Sequence, residues 1–200
     1  MALIEEFLSE IDRRWKPAGP TKIKLDVIGS GALMLQTNYA RRTKDSDVLE
    51  TRILEEKNIR DALMALAGKG SDLHKHYGIY LDIVQSSLPF LPHSPLFHSI
   101  KTLEKLRHFE IRALDIADVV VSKLHRFNAN DRSDIREMIQ QNRISHQRLI
   151  ERFRLAVDQF EMDARAEDLP KYIENLHAVE QTYFNVPKTP IELPGWLGEG

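Results

Sequence analysis

The feature that most constrains this chain is a set of three acidic residues within short apolar runs. Asp45 and Asp47 flank Ser46 in one run, and Asp82 interrupts the apolar stretch Tyr80–Val84. Side chains alternate between the two faces of a strand, so Asp45 and Asp47 share a face if their run is extended. A carboxylate among apolar neighbours costs free energy unless a cation or a donor pairs with it. The pattern therefore predicts neighbouring strands that bring the acids to a charged partner.

A turn of small residues precedes the first two acids. An apolar run ends at Ile28, Gly29-Ser30-Gly31 follows, and a helical stretch begins at Ala32. Backbone N–H groups at the start of a helix bind phosphate, and the Ser30 hydroxyl adds another donor. Either motif alone is most often a plain turn or a solvated surface. Their order favours a site for a nucleotide phosphate and a hard cation such as Mg²⁺ or Mn²⁺.

Composition excludes several classes of protein. The chain has 200 residues and no cysteine, which excludes disulfides, thiolate metal sites and thiol nucleophiles. Its net charge of −2 excludes a globally basic nucleic-acid binder, although a local basic patch is compatible with it. No apolar run reaches the length of a membrane span, and the acidic start does not resemble a signal peptide. We therefore expect a cytoplasmic protein without a membrane partner.

The organisation changes near residue 114. Strand and helix patterns alternate before that point, and only helical patterns follow it, which predicts an α+β fold. The predicted domains are a mixed sheet flanked by helices over 1–113, a C-terminal helical bundle over 114–186 and an extended tail over 187–200. The predicted helices are 3–15, 32–36, 55–67, 116–127, 132–141, 145–164 and 170–184, and the predicted strands are 23–28, 46–49, 73–76, 79–84 and 106–113.

A second group of charged residues lies in the helical part. Lys123 and Arg126 are one helical turn apart, and Asp131 and Asp134 have the same spacing. The spacing alone favours an ion-pair network between two helices. The alternative is a lysine directed at a triphosphate, with the arginine on a phosphate or on one of the aspartates.

The turn and the three acids resemble the nucleotidyltransferase superfamily of the DNA polymerase β type. That pattern consists of Gly-Gly or Gly-Ser, a helix, Asp-x-Asp or Asp-x-Glu, and a third acid on a later strand, and it covers about residues 20 to 90 here. The resemblance implies metal binding by Asp45 and Asp47. It implies metal binding or base action by Asp82, and phosphate contacts by Gly29 and Ser30. It also implies a nucleotidyltransferase-like sheet.

Two further positions bear on this resemblance. Ser46 stands where members of the superfamily mostly have an apolar residue, and its side chain would face away from the acids. Arg42 and Thr43 resemble the lead-in that precedes the first acid. Arg42 is a candidate phosphate ligand, and a solvated loop arginine is the alternative.

The helical cluster resembles that of AbiEii-type nucleotidyltransferase toxins. These carry a lysine, often a nearby arginine, and a basic residue before Asp-x-x-Asp, where this chain has Asn130. The resemblance implies that Lys123 contacts nucleotide phosphates, with Arg126 beside it. It also implies that Asp131 is an active-site acid and a candidate base.

The expected activity is transfer of a nucleotidyl group from an NTP, with Mg²⁺ or Mn²⁺, to a hydroxyl acceptor. The resemblance to the toxins implies tRNA or another RNA as acceptor and a cognate antitoxin as partner. The alternatives are a protein or small-molecule acceptor, and a nucleotide-binding module without catalysis. Arg143, Arg148, Arg152 and Arg154 form a basic stretch that either contacts RNA or is a solvated helix face.

Overall fold

The computed structural model describes residues 2–16, 22–39, 45–160 and 163–193. The chain divides into two units, Met1–Pro89 with Phe97–Asp115 and Phe90–Leu96 with Ile116–Gly200. The second unit therefore includes a segment that the sequence-based division assigns to the first domain. The predicted bounds 1–113, 114–186 and 187–200 stay predictions. None of the described helices is long and apolar enough to cross a membrane.

The first unit is built on a mixed five-stranded sheet, which confirms the α+β class. The strand order is β3-β2-β1-β5-β4, in which β1 pairs with β5 and β2 with β3 in parallel, and the other two pairs are antiparallel. The strands are β1 Ile23–Val27, β2 Asp45–Leu49, β3 Tyr80–Val84, β4 Phe97–Ser99 and β5 Phe109–Leu114, and the helices are α1 Leu3–Arg14, α2 Gly29–Gln36, α3 Lys57–Ala67 and α4 Asp72–Tyr77.

The two faces of this sheet differ in chemistry. One face is apolar, and the buried side chains on it include Leu25, Val27, Val48, Leu81 and Ile111. The side chains that alternate with these point to the opposite face, where the charged residues of the sheet are concentrated. They include Asp26, Asp47, Asp82 and Arg112. The helices thus have an apolar surface to pack on, while the charged face carries the candidate site.

A buried carboxylate fixes α1 to the start of β5. Asp12 is 7% exposed. It accepts backbone N–H bonds from Arg107 at 3.0 Å, His108 at 2.7 Å and Phe109 at 3.2 Å. These three consecutive donors would otherwise lack partners where the loop enters the strand. The aspartate therefore takes the place of water as the hydrogen-bond acceptor for these three N–H groups, and it holds α1 against the start of β5.

Ser46 lies on the apolar face of β2 and is fully buried. Its Oγ has no hydrogen-bond partner within the described part of the chain. A Cβ on Gly31 would lie 3.4 Å from this Oγ and 3.2 Å from a methyl carbon of Val27. Helix α2 thus packs closely against β1 and β2 here, and the contact requires small side chains. The serine hydroxyl faces the interior, on the opposite side of the strand from the acids.

The second unit is helical. An aromatic cluster forms part of its interior, in which Phe90 contacts the rings of Phe153, Phe160 and Tyr172. Its elements are α5 Ile116–Leu124, α6 Ala129–Gln140, α7 His146–Phe160, α8 Leu169–Val179 and a π-helical turn Glu180–Phe184. Segment 90–96 therefore contributes to this interior although it precedes β4 and β5 in sequence.

A buried ion pair links α5, α7 and that segment. Arg152 donates to both carboxylate oxygens of Asp118, and its Nη2 also donates to the Ser94 carbonyl at 3.0 Å. The Leu96 N–H donates to Asp118 Oδ2 at 2.8 Å. Every charged group of the pair thus has a protein partner, which a buried ion pair needs.

The chain after α8 is held by Glu180. This fully buried carboxylate accepts hydrogen bonds from the Thr189 N–H and hydroxyl, and His146 Nε2 lies 2.8 Å from it. Burial alone would raise the pKa of Glu180, but the hydrogen bonds from Thr189 and His146 outweigh it and lower the pKa. Residues 185–193 have no regular secondary structure, but Val186, Thr189 and Pro190 are hydrogen-bonded to the helical part.

The strand predicted at 73–76 is wrong, because this stretch is helix α4. The Ser71 side chain accepts a hydrogen bond from the His74 N–H at the start of the helix. Gly78, with φ +69°, ends it in the left-handed region that glycine tolerates. Two caps only seven residues apart therefore determine this short helix.

Other elements also differ from what local sequence predicts. Strand β4 lies within a stretch rich in proline, which is typical of a loop, and among the described strands it pairs with β5. The helix predicted at 170–184 is α-helical from Leu169 to Val179 and then widens into the π-helical turn. Edge pairing and a π turn both depend on tertiary contacts that local sequence patterns do not encode.

Replacing Asp12 by alanine should lower the free energy of unfolding by about 2–4 kcal/mol, because three backbone donors lose a charged acceptor. Glu10, two residues away, provides the control, since its ion pairs within the described part of the chain are with Arg13 and Arg14 at the surface of α1. Glu10→Ala should cost less than about 1 kcal/mol. Urea unfolding of both variants measures the difference, and equal losses would contradict this role of Asp12.

Candidate active site

Asp47 and Asp82 lie directly opposite each other on neighbouring strands. The parallel pairing of β2 with β3 makes them register partners, so both side chains project from the charged face of the sheet. Neighbouring strands are about 4.8 Å apart, which brings the two carboxylates within reach of one ligand. Asp47 is half-buried and Asp82 is exposed, so the pair is open to solvent. The structure thus brings together two acids that are 35 residues apart in sequence.

The third acid lies beside a tyrosine. Asp45 is the register partner of Tyr80 and shares the face of Asp47 and Asp82. Burial raises the pKa of the Tyr80 hydroxyl, and the negative charges of Asp45, Asp82 and Asp47 raise it further. All three carboxylates therefore act on one phenol, and the tyrosine stays neutral near pH 7. Sequence reasoning did not select Tyr80, although its spacing of two from Asp82 places it on the same face.

The glycine turn lies against Asp47. The Ile28 N–H donates to the Asp47 carbonyl at 2.9 Å, which fixes the end of β1 to β2. Gly29 follows with φ +61°, a conformation that side chains with a Cβ rarely adopt. A Cβ at Gly29 would lie 3.2 Å from Asp47 Oδ2. Glycine is therefore required both by the backbone and by the space beside the carboxylate.

Helix α2 begins at this glycine, and Ser30 is half-buried in its first turn. The first N–H groups of a helix have no partner inside it, so they are available to an anion. The turn thus places candidate phosphate donors next to the paired acids. Arg42 and Thr43 lie outside the described residues, so the predicted role of Arg42 stays a prediction.

The carboxylates of this site suit a hard cation that is shared with a substrate. Within the described ranges, no group of three or more His, Cys, Asp or Glu side chains is arranged to hold a metal ion. Mg²⁺, however, is usually held by one or two carboxylates together with substrate phosphates and water. Asp47 and Asp82 offer two carboxylates, and the adjacent turn offers a place for the phosphates. These residues fit a cation that arrives with a nucleotide better than a resident one.

The same face also carries a cation that sequence reasoning missed. Arg112 on β5 donates two hydrogen bonds of 2.7 Å to Asp26 on β1, its register partner. Its guanidinium also lies over the Phe97 ring, 5.2 Å from the centroid. The pair fixes β1 to β5, and its two charges neutralise each other on the face of the acids. The alternation of side chains within β1 could have predicted that Asp26 lies on this face. It could not have predicted Arg112 as its partner, because the pairing of β1 with β5 is not visible in the sequence.

The helical cluster is an ion-pair network within the second unit. Lys123 is 6% exposed, and its Nζ lies 3.1 Å from Asp131 Oδ1 and 2.8 Å from Asp134 Oδ2. Both aspartates are fully buried. This is the arrangement that spacing alone favoured. The predicted contact of Lys123 with nucleotide phosphates stays a prediction, as does a catalytic role for Asp131.

Arg126 is the exposed member of this cluster. Its Nε and Nη2 donate to Asp131 at 2.9 and 3.0 Å, while 61% of its side chain remains exposed. Asp131 also accepts the Asn128 N–H in a capping box at the start of α6. Burial alone would raise the pKa of Asp131, but the Arg126 hydrogen bond and the Lys123 charge lower it below the ordinary 3.8. A carboxylate with these partners is a weak base.

The basic stretch on α7 does not form one continuous surface. Arg152 is buried against Asp118, and Arg148 is near Glu151 at 3.7 Å. Arg154 donates to the Pro190 carbonyl at 3.3 Å. These arginines thus serve the packing of the second unit more than they offer a surface to RNA.

Replacing Lys123 by methionine should lower the free energy of unfolding by about 3–5 kcal/mol at pH 7, because two buried carboxylates both lose the lysine that pairs with them. Arg126→Met should cost less than about 1 kcal/mol, since its side chain is mostly exposed. Urea unfolding of both variants provides the comparison.

The decrease in the free energy of unfolding caused by Lys123→Met should also depend on pH. The pKa of Asp131 lies below 3.8 in the folded state. The ion pairs of the charged Asp131 therefore stabilise the protein above pH 3.8. This stabilisation is lost as the pH falls through the pKa that Asp131 has in the folded state. The difference from wild type should therefore shrink below about pH 4. A difference that is constant between pH 7 and pH 3 would contradict a stabilising ion pair.

Comparison with known proteins identifies a family for this chain. No curated protein and no solved structure matches the chain significantly. A family model matches residues 6–187, which cover most of both units. Its description supports the predicted relation to nucleotidyltransferases, whereas the relation to AbiEii-type toxins stays a prediction. The chain belongs to the family described as "Nucleotidyltransferase of unknown function (DUF6036)".

Proposed function

We propose that this protein is a metal-dependent enzyme that transfers a nucleotidyl group from an NTP to a hydroxyl acceptor. Its family supplies the general activity. The observation that supports the site most strongly is the pairing of Asp47 with Asp82 across β2 and β3. The Gly29 turn against Asp47 adds phosphate donors at the same place.

The residues divide the chemistry among them. The first N–H groups of α2, with Ser30, bind phosphate oxygens of the NTP. Mg²⁺ or Mn²⁺, when held by Asp47 together with the phosphates, would stabilise the charge on the attacking and leaving oxygens, and Asp45 and Asp82 are the further candidate ligands. The acceptor oxygen bonds to the α-phosphorus, and the bond to the pyrophosphate oxygen breaks. Asp82, the exposed acid of the pair, either takes the acceptor's proton or serves as a further ligand of the cation.

The proposal also includes an acceptor and a biological role. An RNA acceptor such as tRNA, a toxin role and a cognate antitoxin rest on the resemblance to AbiEii-type proteins. Lys123, Arg126 and Asp131 enter the proposal through the same resemblance. A protein or small-molecule acceptor is the alternative. Incubation with labelled NTP and either total RNA or total cell protein distinguishes an RNA acceptor from a protein acceptor.

Asp47→Ala should lower nucleotidyl transfer about 100-fold or more, because one charge-stabilising ligand is lost. The assay incubates the protein with each α-labelled NTP, Mg²⁺ and either total RNA or total cell protein, and follows the label. Chelation of the divalent cation should stop transfer in the wild type. Asp72→Ala is the matched control, since Asp72 is an 87% exposed acid on α4 that pairs with Lys75.

The two variants should have the same free energy of unfolding within about 1 kcal/mol, since neither removes a core residue. Full transfer by Asp47→Ala would overturn the proposed site. Label in RNA supports the RNA acceptor, and label in protein supports the alternative. Tight NTP binding with no label transferred to either fraction would support a module without catalysis.

Gly29→Ala and Gly78→Ala form a second matched pair. Both glycines have positive φ, +61° and +69°, so each substitution should cost about 1–2 kcal/mol of stability. Only at Gly29 would the new Cβ meet Asp47 Oδ2, at 3.2 Å, whereas nothing lies within 4 Å at Gly78. Transfer should therefore fall in Gly29→Ala and stay near wild type in Gly78→Ala. Similar activity in the two would mean that the turn has no part in the site.

A further inference from the structure

The outer face of α6 carries arginines that no nearby acid neutralises. Arg132 and Arg136 are exposed and lie one turn apart, about 6 Å along the helix axis. Arg143 is exposed just beyond the end of the helix. Among the residues that the structure describes, none forms an ion pair with these three. Their charges are therefore available to a partner.

The acids of α6 do not offset this charge. Asp131 and Asp134 are fully buried on the opposite side, where Lys123 and Arg126 engage them. Glu137 is half-buried and accepts a hydrogen bond from Gln141 Nε2 at 2.8 Å. The helix thus separates its charges by face, so its outer face is positive in a chain of net charge −2.

An aromatic ring lies at the start of this face. Phe127 is half-buried, and the guanidinium of Arg132 lies 5.8 Å from its ring centroid. Its φ of +47° is an outlier for a bulky residue. The Phe127 N–H donates to the Lys123 carbonyl at 2.9 Å, and Asn128 caps α6 directly after it. The surrounding bonds thus hold a strained conformation that keeps the ring beside Arg132.

We propose that Phe127, Arg132 and Arg136, the α6 arginine surface, bind single-stranded RNA, and that Arg143, beyond the end of the helix, adds a further phosphate contact. Arginines that contact phosphates beside a ring that stacks a base are the combination by which proteins hold single strands. A duplex would keep its bases stacked and offer none to Phe127. The choice of RNA rests on the proposed function, whereas the choice of a polyanion rests on the charge of the surface.

The first test measures binding of a fluorescein-labelled polyuridine strand by fluorescence anisotropy at several salt concentrations. The double variant Arg132→Glu with Arg136→Glu should weaken binding about tenfold or more. Its log–log salt slope should fall by about 1.4, since each lost phosphate contact on a single strand removes about 0.7. The assay contains neither NTP nor divalent cation, so its outcome does not depend on transfer.

The matched control is Lys57→Glu with Lys75→Glu, which changes the net charge equally at lysines that are 84% and 69% exposed on α3 and α4. Its affinity should stay within about twofold of wild type, because these sites would make no phosphate contact. Thermal melts of all variants verify folding. Equal loss in both double variants would reduce the binding to general charge and overturn the proposal.

Phe127→Leu tests the stacking contact. It should weaken polyuridine binding about fivefold or more and leave binding of an abasic strand of the same length unchanged. If Phe127→Leu weakened binding of both strands equally, Phe127 would not stack a base and would have no part in the proposed surface.

Polyglutamate of matched charge tests whether the partner is an acidic protein instead. If it binds as tightly as polyuridine and competes with it, the surface is one for an acidic protein and the RNA proposal fails.

Discussion

The pairing of β2 with β3 is the constraint on which the rest of the candidate site depends. Its register sets Asp47 against Asp82 and Asp45 against Tyr80. A shift by one residue would turn every side chain of β2 to the opposite face and bury the acids in the apolar interior. The fully buried Ser46 and Val48 on the other face oppose such a shift. Packing on one side of the strand thus maintains the chemistry on the other.

Local periodicity was enough to predict part of this site. Alternation within a strand placed Asp45 and Asp47 on one face, and the glycine turn indicated the start of a helix. The partners across the sheet could not be read in the same way. The Arg112–Asp26 pair joins residues 86 positions apart, and only the parallel pairing of β1 with β5 brings them together. The order of strands is a property of the whole fold and is not encoded in any short segment.

A different, local cause explains why one helix was mistaken for a strand. The stretch 73–76 has two histidines and few apolar residues, so neither period stands out. Its structure is decided by the Ser71 cap and the left-handed Gly78. Lys123 illustrates a different limit. Spacing correctly indicated an ion-pair network, but whether such a buried network also serves catalysis is not contained in the spacing.

The placement of segment 90–96 has a consequence for how the chain can be divided. The path enters the second unit at Phe90, leaves it after Leu96 to form β4 and β5, and returns at Ile116. A fragment that began at Ile116 would lack Phe90, whose ring contacts three aromatic side chains, and the Ser94 and Leu96 bonds to Arg152 and Asp118. Neither unit is therefore a contiguous segment that a single cut could release intact. Because the two units are interleaved in sequence, any fragment that contains the whole second unit also contains β4 and β5 of the first.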